Sequence, residues 1–255
     1  MVGAIRRRDA IAIVLGAAFV GGCRRRATVG SIIVGSSPTG APFSFVDPWT
    51  NELTGAMIDA VNAVGSIVGL KLELAVTPFS ALIPSLMGRK IDLIAAAMLR
   101  TRERERLVAF TDPIFPYPAG LVVRGSDAGR YPDLAALRKM RVGAQVGSRF
   151  IDQLTAAGVG EVRTYDGLSD IIRDVSFGRI DAGYGDEPIF RYQLRVGPHR
   201  NARLVAGFTS PAHEELCLVL RKGDPLLGRL NAAITQLQAR AIPGIASRWH
   251  LEPGT

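Results

Sequence analysis

The sequence predicts an α/β protein built as two similar lobes, and three observations carry that prediction. Short apolar or alternating runs alternate with helix-spaced runs in the order β-α-β-α-β, the pattern of open sheets with helices on both faces. The series occurs twice, before and after a Pro-rich stretch at residues 111–118. The length of 255 residues, with 47% hydrophobic and 21% charged, suits one large domain or two lobes of about 100 residues each, and either can bury an adequate core.

In the first series, residues 31–35 read as a short buried strand ending at Gly35. Residues 36–48 form a loop punctuated by Pro and Gly that carries Phe43 and Phe45. Residues 53–70 place Met57, Val61, Val64, Ile67 and Val68 at helical spacing, with Gly69 near the stop. Residues 71–76 alternate as a strand, 81–87 read as a helix and 91–98 as a strand. A new strand starts at Leu121-Val122-Val123, and 125–132 is a turn-rich loop. The second series has a helix around 134–139, a strand at 141–145 and a helix at 148–157. A strand at 161–165, a helix at 169–178 and a strand at 181–185 complete it. Residues 225–249 are helical and are expected to pack back on the first lobe. No sequence repeat relates the two series. Two open α/β lobes place a ligand in the crevice at the carboxyl ends of their strands.

Ahead of the lobes, Arg6, Arg7 and Arg8 precede an apolar run of 13 residues, 10–22. A membrane span needs about 20 apolar residues, so residues 1–22 read as a secretory signal. Cys23, directly after Gly21 and Gly22, resembles a bacterial lipobox, in which the cysteine becomes the lipidated first residue. Arg7-Arg8 loosely resembles a twin-arginine export signal, but Asp9-Ala10-Ile11 is a poor continuation. Residues 23–30 then form a basic tether whose Arg24, Arg25 and Arg26 suit anionic lipid headgroups. The formal charge of +8 falls to about +3 once the leader and tether are set aside. No zinc-finger spacing or RNA-binding aromatic pattern accompanies the arginines, so no nucleic-acid partner is expected. Cys217 is the other cysteine, in the apolar run 216–220, and reads as a small buried hydrophobe in a strand. With Cys23 lipidated, an intramolecular disulfide is excluded by count.

The stretch from Asp92 to Pro113 carries the strongest functional signal. A buried apolar run ends at Met98, and Thr101 then stands as a helix N-cap, its hydroxyl placed to accept from the amide of Glu103 or Arg104. A capping box would put Glu or Gln at the third position after the cap, and here that position is Arg104. Positive charge at a helix N-terminus costs about 0.3–1 kcal/mol. Glu103 and Glu105 offset part of that, so Arg104 points to a role other than helix stability.

From residue 31 to 249 the chain resembles the bacterial extracellular solute-binding proteins of family 3, the amino-acid-binding components of ABC importers. The resemblance rests on segments in a fixed order: Ala41-Pro42-Phe43-Ser44-Phe45, Leu53-Thr54-Gly55-Ala56-Met57-Ile58-Asp59 and Phe79-Ser80-Ala81-Leu82-Ile83-Pro84-Ser85-Leu86. Gly88-Arg89-Lys90-Ile91-Asp92, Arg104, Phe110-Thr111-Asp112-Pro113, Val142-Gly143-Ala144-Gln145 and Gly178-Arg179-Ile180-Asp181-Ala182 follow. It implies a two-lobe periplasmic-binding-protein type II fold with a hinge and an interlobe ligand cleft. Lobe 1 would comprise 31–118 and 209–255, and lobe 2 would comprise 119–208.

The resemblance makes Arg104 the clamp for an α-carboxylate, a task suited to a guanidinium fork. It makes Asp186 the anchor for the α-ammonium, and Phe79 the ring that packs on the ligand. Ser148, at a helix start, is a second carboxylate contact. Thr101, Ala97 and Arg149 complete the expected site. Anchors on opposite lobes would couple binding to closure. Gly40 stands where the family has an aromatic lid, Leu99 where a hydroxyl donor is common, and Arg149 where Thr is usual. No acid lies near Ser37, where binders of basic amino acids tend to have one. The expected ligand is therefore a polar neutral or acidic amino acid or a similar carboxylate, with Arg149 available to a second carboxylate. No cofactor or metal is expected, and the expected state is a monomer, lipid-anchored outside the cytoplasm and working with ABC membrane subunits.

Two alternatives stand beside this. One is a cyclohexadienyl/arogenate dehydratase-like enzyme on the same fold, using Glu187, Glu214 or Glu215 as an acid. The other is a sensor with a decayed site, suggested by Gly40 and Leu99. His199, His213 and His250 have neither metal-ligand nor triad spacing, and no Walker-type phosphate loop appears, so the binding protein is the expectation.

Overall fold

The computed structural model describes residues 31–198, 201–209 and 214–251. The signal, Cys23 and the basic tether lie outside the described residues, as do His199 and His213.

Two five-stranded sheets organise the chain. In the first, Ser31–Ser36 lies between Lys71–Val76 and Leu93–Ile94, parallel to both. Val219–Arg221 and Val108–Phe110 extend the same sheet in antiparallel fashion, so the end of the chain completes the first lobe. In the second, Glu161–Tyr165, Arg141–Gln145 and Ala182–Asp186 run parallel. Ala119–Arg124 and Ala202–Leu204 close it, with Ala119–Arg124 antiparallel to each neighbour.

Ala56–Val68 buries Met57, Ala60, Val61 and Val64, and Gly69 at φ 68° supplies the left-handed turn that stops it. Residues 225–249 form two helices, Leu226–Gln238 and Ile242–Arg248, separated ahead of Pro243. They lie against Ala56–Val68: Arg229 donates to the Val68 carbonyl at 2.6 Å, and Trp249 Nε1 to Asp59 at 2.8 Å.

The chain crosses between the sheets twice, and the two crossings hold each other. Phe115–Tyr117 pairs antiparallel with Glu214–Leu216. Buried Thr111 donates its amide to the Leu218 carbonyl and accepts the Leu218 amide on its hydroxyl, both at 3.0 Å.

Several local expectations need correction. The loop 36–48 holds strands Thr39–Gly40 and Ser44–Val46, which join Leu53–Thr54 in a three-stranded sheet. These strands are too short for periodicity to reveal, and the helix therefore starts at Ala56 rather than 53. In the stretch 91–98 only Leu93–Ile94 is strand; the remainder is buried irregular chain, with Leu99 bridged to Leu216. Burial makes such a run apolar whether or not it pairs. Around 134–139 the chain forms a single 3-10 turn, Leu134–Leu137, capped by Asp133 at 2.8 Å. Cys217 lies between Glu214–Leu216 and Val219–Arg221 rather than within a strand, and its desolvated thiol is pushed up to about 12.

Gly55 fastens the hairpin to the helix. At φ 126° and ψ 173° it lies in a region that only glycine occupies comfortably, while Ala56 and Met57 donate to the Pro42 and Phe43 carbonyls at 2.8 Å. A Cβ there would stand 2.4 Å from the Phe43 carbonyl oxygen. Gly55→Ala is expected to lower unfolding stability by about 2–4 kcal/mol, measured by urea denaturation. A loss under about 0.5 kcal/mol would contradict this role.

Candidate functional site

The site starts at the helix Arg102–Leu107. Thr101 caps it as expected, its hydroxyl accepting from the Arg104 amide at 3.1 Å. The Arg104 guanidinium does not stay at the helix start, where the dipole opposes it. Nη1 donates to the Leu99 carbonyl at 2.7 Å and Nη2 to the Gly147 carbonyl at 2.9 Å. The Phe79 ring lies 5.9 Å from the guanidinium carbon, within cation–π range. Arg104 is half-buried, whereas Arg102 and Arg106 are exposed.

Gly147 belongs to the other lobe, in the turn after Arg141–Gln145. Its φ of 72° turns the chain into the helix Arg149–Ala156. Ser148 precedes that helix and is buried, but its hydroxyl does not cap it. The hydroxyl instead donates to the Gln145 carbonyl at 2.6 Å, which makes it a brace for the turn. Arg149 is half-buried beside Gln153. The amide orientation that satisfies both neighbours puts the Gln153 oxygen 2.8 and 3.2 Å from Arg149 and its nitrogen 2.7 Å from the Tyr184 hydroxyl.

Thr101, Arg104, Ser148 and Arg149 line one interlobe cavity of about 330 Å³, together with Gly147, Ile83 and Asp152. Asp186, Phe79 and Ala97 stand outside that lining. Asp186 is 4% exposed at the end of Ala182–Asp186, where the chain enters Glu187–Val196. Ala97 is buried in the irregular run that leads to Arg104. Among the described residues, no group of three or more His, Cys, Asp or Glu is placed to hold a metal. No described helix is long and apolar enough to cross a membrane.

Sequence reasoning missed two features. Leu99 lacks a hydroxyl, yet its backbone carbonyl is what orients Arg104. Ile189, fully buried one helical turn past Asp186, reaches across the cleft to Gly40. A lone Ile in a helix carries no signal for this; its spacing from Asp186 is the only hint.

The histidine-binding periplasmic protein of Salmonella typhimurium is 34% identical over 160 residues, 61% of this chain and 60% of that protein. The chain thus spans about three fifths of that relative's length. The L-arginine-binding protein of Pseudomonas aeruginosa is 32% identical over 207 residues, covering 78% of this chain and 79% of that protein. A solved structure of an ancestral arginine-binding protein bound to glutamine superposes with a TM-score of 0.79 at 29% identity, covering 88% of this chain and 99% of that one. These relatives are named as binding proteins. The model of the bacterial extracellular solute-binding proteins, family 3, matches residues 32–252, and the chain belongs to that family.

Proposed function

We propose that this chain is the capture component of an ABC importer, closing its lobes over a polar neutral or acidic amino acid or a similar carboxylate solute. Arg104 takes the α-carboxylate from the first lobe and Asp186 takes the α-ammonium from the second. Phe79 packs on the ligand, Ala97 and Thr101 shape the wall beside the clamp, and Ser148 and Arg149 face it from the second lobe. Binding and release involve no covalent step, no cofactor and no metal. Lobe 1 comprises 31–118 and 209–255 and lobe 2 comprises 119–208, a division supported by the return of Val219–Arg221 to the first sheet.

The observation that carries the reading is the Arg104 guanidinium, held at the cleft between carbonyls on opposite sides. A fork oriented by fixed backbone acceptors is ready to receive a carboxylate with little ordering left to do. Relatives named for histidine and arginine make basic amino acids the competing ligands. Against those ligands, Ser37 is buried and its hydroxyl faces that of Thr39 at 3.3 Å, a neutral surrounding.

A thermal-shift and calorimetric panel of amino acids tests the reading. A neutral or acidic amino acid is expected to stabilise the protein, by about 2.7 kcal/mol at a hundred times its Kd. Arg104→Ala is expected to weaken that ligand by about 2–5 kcal/mol. Tightest binding of lysine or arginine contradicts the ligand class, and no response to any amino acid contradicts capture.

The protein is proposed to act as a monomer outside the cytoplasm, anchored by a lipid on Cys23, with the tether arginines against lipid headgroups. Cys23→Ser is expected to move the expressed protein from the membrane to the soluble fraction. Retention of the variant in membranes contradicts the anchor.

A further inference from the structure

One pole of the first lobe has a character that ligand capture does not explain. The cleft lies at the carboxyl ends of the strands, and their amino ends gather at the opposite pole. Ser31 opens its strand there, with Lys71 of the edge strand as its register partner. The helices Ala56–Val68 and Leu82–Met87 both run back to this pole, the first ending just before Lys71 and the second just before Arg89 and Lys90. Val219–Arg221 is antiparallel to Leu93–Ile94 and so ends at the same pole, followed by Lys222. Lys71, Arg89, Lys90 and Lys222 are exposed and make no ion pair among the described residues. The acids beside them are engaged. Glu73 accepts from the Ser31 hydroxyl at 2.8 Å, Asp92 from Arg221 at 3.0 Å, and Asp224 from the Leu226 amide at 3.0 Å. In the last turns of the two helices, Ile67 and Met87 stand 43% and 50% exposed. These helices belong to separate core clusters on opposite faces of the sheet, so an apolar side chain flanks the basic strip on each side. Helix carboxyl ends favour nearby cations by themselves, but they give no reason for an exposed Ile and Met at the same ends.

We infer that this pole rests on a bilayer of anionic phospholipid, with Lys71, Arg89, Lys90 and Lys222 at the headgroups and Ile67 and Met87 against the acyl boundary. This rests on the proposed placement of the chain beside a membrane. Residues 23–30, which lie outside the described residues, span at most about 28 Å. The chain enters the fold at Ser31, so this pole is the folded surface held nearest an anchor at Cys23. Unpaired cations with apolar side chains among them are what an anionic interface binds, by charge and by burial together. Ile67 and Met87 are set too widely across the sheet for one small ligand, whereas a flat bilayer surface meets both. So seated, the chain turns its cleft away from the bilayer and open to solute, and it must tilt to present that cleft to membrane subunits.

Vesicle binding by the unlipidated chain from residue 23, carrying Cys23→Ser, tests the pole apart from the anchor. An environment-sensitive fluorophore is placed at Met87→Cys in one sample and at Trp49→Cys in another, Cys217 being buried and left unlabelled. Trp49 is 89% exposed and lies beyond the other end of Ala56–Val68, away from the pole. With vesicles of phosphatidylglycerol and phosphatidylcholine, the Met87 probe is expected to shift to shorter wavelength and the Trp49 probe to stay unchanged. Neutral phosphatidylcholine vesicles are expected to shift neither. Replacing Lys71, Arg89, Lys90 and Lys222 together by Gln is expected to weaken binding to the anionic vesicles at least tenfold, since each cation near such a surface contributes about fivefold. The same variant is expected to keep the wild-type melting temperature and amino-acid affinity. The inference is overturned if both probes shift alike, if neutral vesicles bind as well as anionic ones, if no vesicle binds, or if the folded Gln variant binds as the wild type does. In that last case the tether arginines alone account for the binding. Failure of the lipid anchor shows instead in the fractionation of Cys23→Ser, which this measurement does not use.

Discussion

The Arg104 guanidinium donates to the Leu99 carbonyl on its own lobe and to the Gly147 carbonyl on the other, and the rest of the cleft depends on that bridge. Backbone carbonyls are rigid acceptors, so two of them fix the plane of the fork as well as its position. Each supporting feature serves the same end. Thr101 caps the short helix and relieves one orphan amide, Glu103 and Glu105 answer its dipole, and Phe79 covers a face of the guanidinium. Because one acceptor lies on each lobe, the orientation of the arginine and the separation of the lobes are linked.

That linkage requires the lobes to approach closely, and the seam is lined with small residues. A Cβ on Gly147 would lie 3.2 Å from Ser80, and one on Gly167 would lie 3.1 Å from Thr39. The Thr39 hydroxyl donates to the Asp166 carbonyl at 3.4 Å beside the second of these contacts. On the far side, Phe45 meets Tyr192 of the second lobe at 6.5 Å and Trp249 of the closing helix at 5.8 Å. Backbone against small side chains on one flank and rings on the other make closure a steric fit.

Much of this was legible in the sequence. The two β-α series, the Gly69 stop and the Thr101 cap follow from periodicity and capping chemistry, because those depend on neighbours within a few residues. The irregular run after Ile94 was not, since burial in any conformation produces the same apolar string. Leu99 shows the deeper limit. Its side chain suggested a lost contact, whereas its carbonyl makes the contact, and a carbonyl is common to every residue. Ser148 shows the reverse: a residue type suited to capping whose hydroxyl turns back to Gln145. Contacts across the cleft, such as Ile189 with Gly40, depend on how the lobes meet and leave no local pattern.

If Arg104 and Asp186 hold one ligand from opposite lobes, binding and closure are a single event, and losing either anchor forfeits much of what the other contributes. A double-mutant cycle with Arg104→Ala and Asp186→Asn, read as calorimetric affinity for the best ligand of the wild type, measures that coupling most directly. Coupled anchors predict a double variant little worse than either single one, with a coupling energy of about 1–3 kcal/mol. Losses that add to within about 0.5 kcal/mol would mean that the two residues act independently, and would contradict capture by closure.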